Sequence, residues 1–291
     1  MPEVRTPGRK LRDAIAAGPV LLPGVFNGLV ARLAQDAGFS AVYLSGAALS
    51  ASMALPDVGL VTLTEFVAAA RSIAEATPLP LVCDADTGFG EALNVERTIR
   101  QMEAAGVAGL HIEDQELPKR CGHLSGKSLI EPAEMVAKIR AAVAARRDPD
   151  FFVIARTDAR GVTGYEDAVA RAHRYREAGA DAIFPEALES AEEFARFAKE
   201  VPGPLLANMT EFGKSPLLPA SQLADLGYRL ILFPVTTLRA ALFAAHSVLA
   251  EIRAAGTQSA LVSQMMTRAR LYELLGYRGY EERDRRYFGG S

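Results

Sequence analysis

The feature that most restricts the fold of this chain is a short apolar run that recurs eight times, each time followed by a longer segment with helical periodicity. Most of these runs are apolar throughout, as expected for parallel strands that are covered on both faces. Such runs in alternation with helices indicate repeated strand–helix units. The predicted strands span residues 20–27, 41–46, 79–86, 109–114, 151–158, 182–186, 205–210 and 230–235.

Several of the intervening helices are predicted to end at a glycine just before the next strand, a common way for a helix to stop. These glycines are Gly38, Gly106, Gly179 and Gly227. With 291 residues, of which 49% are hydrophobic, the chain can bury one large core. The pattern therefore predicts an α/β fold, a single (β/α)8 TIM-type barrel domain over residues 1–291.

Two further helices are predicted after the last strand, at residues 238–255 and 259–276, and the first is nearly all apolar. A helix this apolar requires burial on most of its sides. We therefore expect residues from about 238 to 291 to form C-terminal helices that contact another subunit.

Charge and cysteine content exclude several classes of partner. The formal charge of −3 provides no basic field, so no nucleic-acid partner is expected. The two cysteines are too few for a disulfide framework in a chain of this length, which favours a reducing cytoplasm. No run approaches the ~20 apolar residues of a membrane span, so no membrane partner is expected.

Two carboxylates follow the third predicted strand, at the end where barrel enzymes hold their catalytic groups. Asp84 and Asp86 are two residues apart, so both side chains point to the same side. Like charges this close are costly unless a cation joins them, and carboxylate oxygens suit Mg²⁺. Glu113, at the next strand end, is placed to hydrogen-bond a metal-bound water. The alternative, that these acids cap helices or pair with arginines, is less consistent with the other strand-end acids.

A second group of reactive side chains lies in the loop after strand four, in the run Lys119-Arg120-Cys121-Gly122-His123. Two fixed cations and an imidazole surround the Cys121 thiol, and such surroundings favour a thiolate and tune proton transfer. A structural or regulatory thiol is the alternative for Cys121, and a core or helix-end position is the alternative for His123. Cys83 follows an apolar run and is predicted to be a core residue.

Three arginines lie near strand ends or in the C-terminal helices, namely Arg156, Arg239 and Arg268. Arginine binds carboxylates through two parallel hydrogen bonds, so three of them suit a di- or tricarboxylate. The alternative for any one of them is a surface ion pair. Directional hydrogen bonds to such a ligand are expected from Glu186, Asn208 and Thr210.

These motifs resemble the isocitrate lyase and phosphoenolpyruvate mutase superfamily, and within it the methylisocitrate lyases, from about residue 11 to residue 288. The most specific motif is the run 119–123, a lyase signature that the mutases and decarboxylases of the superfamily lack. The other motifs lie at residues 43–46, 84–90, 113–115, 184–186 and 208–213.

The resemblance implies Mg²⁺ as the cofactor, contacted by Asp86, with Asp84 and Glu113 holding its waters. The substrate-binding residues that it implies are Ser45, Gly46, Ala47, Asp57, Gly122, Arg156, Glu186, Asn208, Met209, Thr210, Arg239 and Arg268. The catalytic residues expected are Cys121, Tyr43, His123, Lys119 and Arg120. The resemblance also implies a homotetramer that exchanges C-terminal helices.

The implied reaction is the retro-aldol cleavage of 2-methylisocitrate to pyruvate and succinate. Mg²⁺ is expected to chelate the substrate hydroxyl and the adjacent carboxylate. Tyr43 is the candidate base for the hydroxyl proton, and Cys121 is the acid that protonates the succinate carbon. Because water must be excluded from the carbanion-like species, the Cys121 loop is expected to close over the site.

Three other functions stay open. A lyase for isocitrate or another substituted malate, such as 2,3-dimethylmalate, would share the acid, the metal and the loop. A phosphoryl mutase or an oxaloacetate decarboxylase would share the metal, but Cys121 argues against both. A non-catalytic scaffold has no need of these groups. The extra methyl of 2-methylisocitrate is expected to meet Phe184, Leu232 and Pro234, which otherwise only pack the barrel rim.

Overall fold

The computed structural model describes residues 5–289; residues 1–4 and 290–291 of the predicted domain lie outside the described residues. Within this part of the chain, eight parallel strands pair in the orders β1-β8-β7 and β2-β3-β4-β5-β6. Bridges between Gly24 and Tyr43 and between Ile183 and Leu205 join the two groups of strands. The sheet is therefore closed, and the predicted (β/α)8 barrel is confirmed.

The strands are β1 (Val20–Pro23), β2 (Val42–Leu44), β3 (Leu81–Asp84), β4 (Gly109–Glu113), β5 (Phe152–Thr157), β6 (Ala182–Pro185), β7 (Leu206–Asn208) and β8 (Leu230–Phe233). The helices are α1 (Pro7–Ala17), α2 (Gly28–Asp36), α3 (Gly46–Ser52), α4 (Leu63–Ala76), α5 (Ala92–Ala104), α6 (Pro132–Ala145), α7 (Tyr165–Glu177), α8 (Ala191–Glu200), α9 (Ala220–Asp225), α10 (Thr236–Ala255), α11 (Arg268–Leu275) and α12 (Tyr277–Tyr287).

Each strand begins close to its predicted position and ends somewhat earlier than predicted. The reason is that the polar residues at the strand ends turn the chain away from the sheet. Ser45, for example, caps α3 by accepting a hydrogen bond from the Ala48 N–H at 3.3 Å. Asp86 has a φ of 44°, in the left-handed region. These residues therefore lie above the barrel and not in its wall.

Helix α1 closes the N-terminal end of the barrel, and the pattern of apolar residues did not predict it. Leu11 of this helix is fully buried and packs with Val20, Leu22 and Phe152 in the barrel interior. The local signals for the helix are Thr6, whose side chain caps it, and a proline in its first turn. With this end closed, a ligand can enter only from the opposite end, where the strands terminate.

The C-terminal helices differ in part from the prediction. Helix α10 matches it, but the predicted helix 259–276 is divided into a 3-10 turn (Ser259–Gln264) and α11, and α12 was not predicted. The division arises because Thr267 has an extended backbone and caps a new helix by accepting from the Arg270 N–H at 3.2 Å. None of the helices in the described part of the chain is long and apolar enough to span a membrane.

Helix α10 leaves large apolar side chains exposed on the single chain. Leu242, Phe243, Leu249 and Ile252 are all in this group, and Phe243 is 76% exposed. An exposed apolar surface of this kind is typical of a subunit contact. The expected association through the C-terminal helices stays a prediction.

Candidate active site

A cavity of about 80 Å³ lies at the C-terminal ends of the strands. Most of the residues that the sequence predicted for the site line it, namely Tyr43, Ser45, Ala47, Asp57, Asp84, Lys119, Arg120, Cys121, Gly122, His123, Arg156, Glu186, Asn208, Thr210 and Arg239. A larger cavity of about 370 Å³ borders Asp86 and residues 59–64 but shares no lining residue with the first. We place the candidate site in the smaller cavity because the strand-end charges converge there.

Asp84 is held by two backbone N–H groups. Its carboxylate accepts from Gly46 N and from Asp86 N, each at 3.0 Å. The left-handed backbone at Asp86 turns this N–H back toward Asp84. Glycine is required at position 46, since a Cβ atom there would lie 2.8 Å from Asp84 Oδ2. Burial alone would raise the pKa of Asp84, but His111, Lys119, Arg156 and the Asp86 N–H together outweigh burial and hold the pKa below the ordinary value.

Two further buried carboxylate oxygens, Asp86 Oδ1 and Glu113 Oε1, have no hydrogen bond. Lys119 Nζ lies 2.8 Å from Asp86 Oδ1, but not in hydrogen-bonding geometry. Burial, and then the neighbouring Asp84, raises the pKa of Asp86 to about 6. Burial also raises the pKa of Glu113 well above its ordinary value, although Arg156 opposes the shift. Buried carboxylate oxygens that lack a hydrogen bond are costly, and a hard cation with its waters would supply the missing contacts.

Residues 5–289 contain no group of three or more His, Cys, Asp or Glu side chains arranged to hold a metal. A cation at this position would therefore be held by one or two carboxylates, with waters and ligand oxygens completing its shell. That donor set fits Mg²⁺, which keeps several waters in most protein sites. Asp84, Asp86 and Glu113 are thus chemically suited to the ion that was expected.

Arg156 lies among three carboxylates. Its guanidinium contacts Asp158 at 2.9 and 3.1 Å, Glu186 at 3.0 Å and Glu113 at 3.2 Å. The contact with Glu113 follows from the register of β4 and β5, which places these two residues side by side. Because Asp158 already binds two of its nitrogens, a substrate carboxylate can share only part of the guanidinium.

Glu186 is kept ionised by the groups around it. Burial alone would raise its pKa, but Arg156 and His123 more than offset burial and hold the pKa well below the ordinary value. The His123 ring nitrogen Nε2 lies 3.0 Å from one Glu186 oxygen. Asn208 Nδ2 donates to the same carboxylate at 3.3 Å. Glu186 therefore fixes both the imidazole and the amide that face the cavity.

The Cys121 loop lies in a closed position over the cavity. Lys119 forms ion pairs with Asp57 and Asp86, and His123 Nδ1 accepts from the Lys214 N–H at 3.0 Å. Gly122 packs directly against Arg156, since a Cβ atom there would lie 2.4 Å from Arg156 Nη2. Only glycine permits this approach, so the loop residue next to Cys121 cannot carry a side chain.

The prediction that Cys121 favours the thiolate form is wrong. Burial raises the pKa of the thiol, and the His123 N–H and Arg156 offset this only in part. The two cations of the loop act elsewhere: Lys119 is paired with Asp57 and Asp86, and the Arg120 guanidinium lies beside Gly126. The surroundings of Cys121 therefore favour the protonated thiol, which is the state that a proton donor requires.

His111 is a site residue that the sequence analysis missed. It is fully buried on β4, and its Nε2 lies 2.7 Å from Tyr43 Oη and 3.6 Å from Asp84 Oδ1. Burial lowers the pKa of His111 to about 4, against the opposing effect of Asp84, so the ring is neutral at pH 7. Burial, and then Asp84, raises the pKa of Tyr43. The available signal was the spacing of His111 and Glu113, two residues apart on one strand and hence on one face.

An apolar wall forms one side of the cavity. Phe184, Leu232, Pro234 and Val235 all line it, as expected for the first three. The Phe184 ring packs edge-on against His111 with centroids 5.3 Å apart, and Arg156 lies 5.0 Å above its face. These two contacts hold the Phe184 ring in place within the wall.

Three predicted substrate residues lie at the rim of the cavity or outside it. Arg239 is at the rim, where Nη1 donates to the Glu211 carbonyl at 2.6 Å. Met209 is buried behind the wall, and its sulfur accepts from the Leu218 N–H at 3.3 Å. Arg268 is exposed at the start of α11 and does not line the cavity of its own chain. The reason is that α11 packs on α2, where Arg32 donates to the Leu274 carbonyl at 2.8 Å.

Comparison with known proteins gives concordant results. The phosphoenolpyruvate phosphomutase family profile matches residues 11–253. A protein of Aeropyrum pernix named 2-methylisocitrate lyase is 54% identical over 279 residues, covering 96% of this chain and 90% of that protein.

A crystal structure of 2,3-dimethylmalate lyase, described as a PEP mutase/isocitrate lyase superfamily member, superposes with a TM-score of 0.92 at 38% identity and covers 98% and 96% of the two chains. A phosphonopyruvate hydrolase solved with oxalate and Mg²⁺ gives a TM-score of 0.89 at 35% identity, covering 98% and 100%. Both the sequence match and the superpositions extend over the whole barrel, and the chain therefore belongs to the phosphoenolpyruvate phosphomutase family, within the PEP mutase/isocitrate lyase superfamily.

Proposed function

We propose that this protein is a Mg²⁺-dependent carbon–carbon lyase that cleaves 2-methylisocitrate to pyruvate and succinate. The observation that carries the proposal is the Cys121 thiol, which shares one small cavity with Asp84, Arg156 and Glu186 and whose burial raises its pKa. The 54% identity to a protein named 2-methylisocitrate lyase supports the choice of substrate. A scaffold protein has no need of so many buried charges in one cavity.

Asp86 would contact the cation, and Asp84 and Glu113 would hold its waters; the buried oxygens of Asp86 and Glu113 that lack a hydrogen bond support this assignment. When bound, Mg²⁺ supplies Lewis-acid stabilisation of the negative charge that develops on substrate oxygen. The similar phosphonopyruvate hydrolase that was solved with Mg²⁺ is consistent with this choice of ion.

Removal of the substrate hydroxyl proton is assigned to Tyr43, acting with His111. Tyr43 takes the hydroxyl proton and passes its own proton to His111 Nε2, to which its phenol group is hydrogen-bonded at 2.7 Å. The neutral ring can accept this proton, and Asp84, 3.6 Å away, stabilises the imidazolium that forms. The hydroxyl oxygen then becomes the carbonyl of pyruvate as the carbon–carbon bond breaks.

The electron pair of the broken bond passes to the succinate half, which becomes an aci-carboxylate. Cys121 donates its thiol proton to that carbon, and Arg156 and Asn208 face the same cavity as donors for the carboxylate oxygens. Donors that are already fixed by Glu186 need little reorganisation when the charge develops. Lys119 and His123 hold the loop over the site and exclude water from the intermediate.

The apolar wall of Phe184, Leu232 and Pro234 favours a substrate with a methyl group over isocitrate. The second candidate is therefore another methylated malate, and the superposition on 2,3-dimethylmalate lyase favours that compound. We further propose a homotetramer that is formed through the C-terminal helices, since α10 exposes apolar side chains such as Phe243 on the single chain.

The experiment that tests the proposal is incubation of the purified protein with 2-methylisocitrate and Mg²⁺, with pyruvate followed by a coupled NADH assay. Parallel reactions contain isocitrate, for which glyoxylate is followed instead of pyruvate, or 2,3-dimethylmalate or oxaloacetate, and a further reaction contains EDTA. We expect pyruvate from 2-methylisocitrate and none after chelation. Turnover of 2,3-dimethylmalate alone would replace the substrate, and cleavage of oxaloacetate alone would reject the 2-methylisocitrate lyase assignment.

A further inference from the structure

Lys127 is a buried lysine in the second half of the Cys121 loop, and the proposed reaction does not use it. Its side chain is only 1% exposed, and its ammonium lies 2.8 Å from Asp158 Oδ1. The same ammonium donates to the backbone carbonyl of Gly122, the residue that follows Cys121. Lys127 does not line the cavity, so its charge acts on the loop and not on a ligand.

Asp158 joins this lysine to the floor of the site. Its carboxylate binds Arg156 through two nitrogens and Lys127 through the third contact. Asp114 fixes the position of Asp158 by accepting from its backbone N–H at 2.8 Å. Burial alone would raise the pKa of Asp158, but Arg156 and Lys127 hold it below the ordinary value. One ionised carboxylate thus connects the loop with the arginine of the cavity.

The other tethers of the loop have different partners. Lys119 binds the carboxylates of Asp57 and Asp86, and His123 binds Glu186, so both contact groups of the cavity itself. The Gln115 side chain holds the backbone of Arg120 at the base of the loop, through two hydrogen bonds of 2.9 Å. Lys127 differs from Lys119 and His123 because it bonds to the backbone next to the thiol without reaching the cavity, and it differs from Gln115 because its donor is a charged ammonium.

Lys127 directly precedes Ser128 and Leu129, which pair with Glu116 and Gln115 at the base of the loop. Movement of the loop tip away from this base would separate the Gly122 carbonyl from the Lys127 ammonium and leave Lys127 beside Asp158. A hydrogen bond from a charged donor therefore forms only when the loop is closed. Bonds of this kind change an equilibrium by roughly 10- to 100-fold. Loss of this hydrogen bond should lower the ratio of closed to open loop by a factor of that order.

We propose that Lys127 is a positioning residue that latches the Cys121 loop in its closed position by joining the Gly122 carbonyl to Asp158. The latch couples the position of the thiol to that of Arg156, which the same carboxylate holds. The purpose assigned to the latch rests on the proposed function of Cys121. The latch itself predicts a change in thiol exposure that is measurable without substrate.

The test is alkylation of the native protein with iodoacetamide, with the modified cysteine identified by mass spectrometry. The chain has only two cysteines, and Cys83 is fully buried, so native labelling reports on Cys121. The variants are Lys127→Met, which removes the charge, and Lys127→Arg, which retains it. Lys138→Met is the matched control, since Lys138 is also buried and donates to a backbone carbonyl, that of Thr87, at 3.2 Å, in a different loop.

We expect Lys127→Met to label at Cys121 several-fold to roughly 10-fold faster, because labelling follows the open fraction of the loop. The value of kcat should fall by a smaller factor, since it follows the closed fraction, and KM should change less. Lys127→Arg should recover at least part of the protection, and Lys138→Met should label at the rate of the unmodified protein. Unchanged labelling in Lys127→Met would overturn the latch. So would exposure of Cys83 in both Lys127 variants, because that result indicates a merely structural role.

The alkylation result and the lyase assay fail independently. Faster labelling in Lys127→Met, combined with no turnover of 2-methylisocitrate by the unmodified protein, would reject the proposed reaction and retain the latch. An active enzyme with unchanged labelling would reject the latch alone.

Discussion

Replacement of Cys121 by serine tests the proton donor with little change of shape. Burial keeps the Cys121 thiol protonated, and a serine hydroxyl at the same place is a weaker acid. A positioned general acid typically increases the rate by ~10² to 10⁴-fold, which corresponds to lowering the activation free energy by about 2.7 to 5.5 kcal/mol. We therefore expect kcat to fall by at least ~10². The loop is tethered through Lys119 and His123, not through the thiol, so KM should change by less than about threefold.

The assay is the steady-state rate of pyruvate formation from 2-methylisocitrate, with kcat and KM determined separately. Cys83→Ala is the matched control, because it removes the other thiol, which is buried in the apolar layer between the strands and the helices. That variant should lose about 1 kcal/mol of unfolding free energy and keep its kcat within about twofold. A kcat for Cys121→Ser within tenfold of that of the unmodified enzyme would refute the reasoning. An equal loss of kcat in Cys83→Ala would mean that the loss in Cys121→Ser arises from impaired folding.

Four further outcomes are expected. Asp86→Ala should weaken Mg²⁺ binding, measured by titration calorimetry, by at least ~10-fold, whereas unchanged affinity would remove this carboxylate from the metal site. The Asp86 carboxylate binds the cation only when it is ionised, and its pKa is raised to about 6. The Mg²⁺ affinity should therefore be full above that pH and fall as the pH drops below it. An affinity that does not change from pH 7 to pH 5 would contradict this. The ratio of kcat/KM for 2-methylisocitrate to that for isocitrate should be ~10 to 200, and a ratio under about threefold would argue against the wall of Phe184, Leu232 and Pro234. Phe243→Asp should lower the oligomer mass in light scattering, since it places a charge on the exposed apolar face of α10; an unchanged mass would exclude this face as a subunit contact.

The apolar pattern of the chain was sufficient to predict the barrel and the location of its chemistry. Parallel strands that are covered on both faces leave continuous apolar runs, and four helices end at the predicted glycines, whose φ angles lie between 84° and 107°. A closed barrel brings all strand ends to one face, whatever the distance between them in the sequence. Asp84, Arg156 and Glu186 therefore meet in one cavity although they lie on three different strands or strand ends.

The pairing of charges within that cavity was decided only by the tertiary structure. The sequence places Lys119 beside Cys121, which predicted a thiolate, but the path of the loop directs this ammonium to Asp57 and Asp86 and leaves the thiol protonated. Electrostatic energies depend on distances of a few ångströms and on burial, and neither follows from the order of residues in a loop.

The same reason explains the residues that were missed and the one that was misplaced. His111 and Lys127 have no motif around them, and each takes its role from a partner that strand register or loop closure brings within hydrogen-bonding distance. Arg268 was expected in the site, but the packing of α11 on α2 keeps it away from the cavity of its own chain. The sequence thus determined which elements form and which ends carry polar groups, because periodicity and backbone preference are local. The tertiary structure determined which of those groups touch, because contacts are set by packing between elements that are distant along the chain.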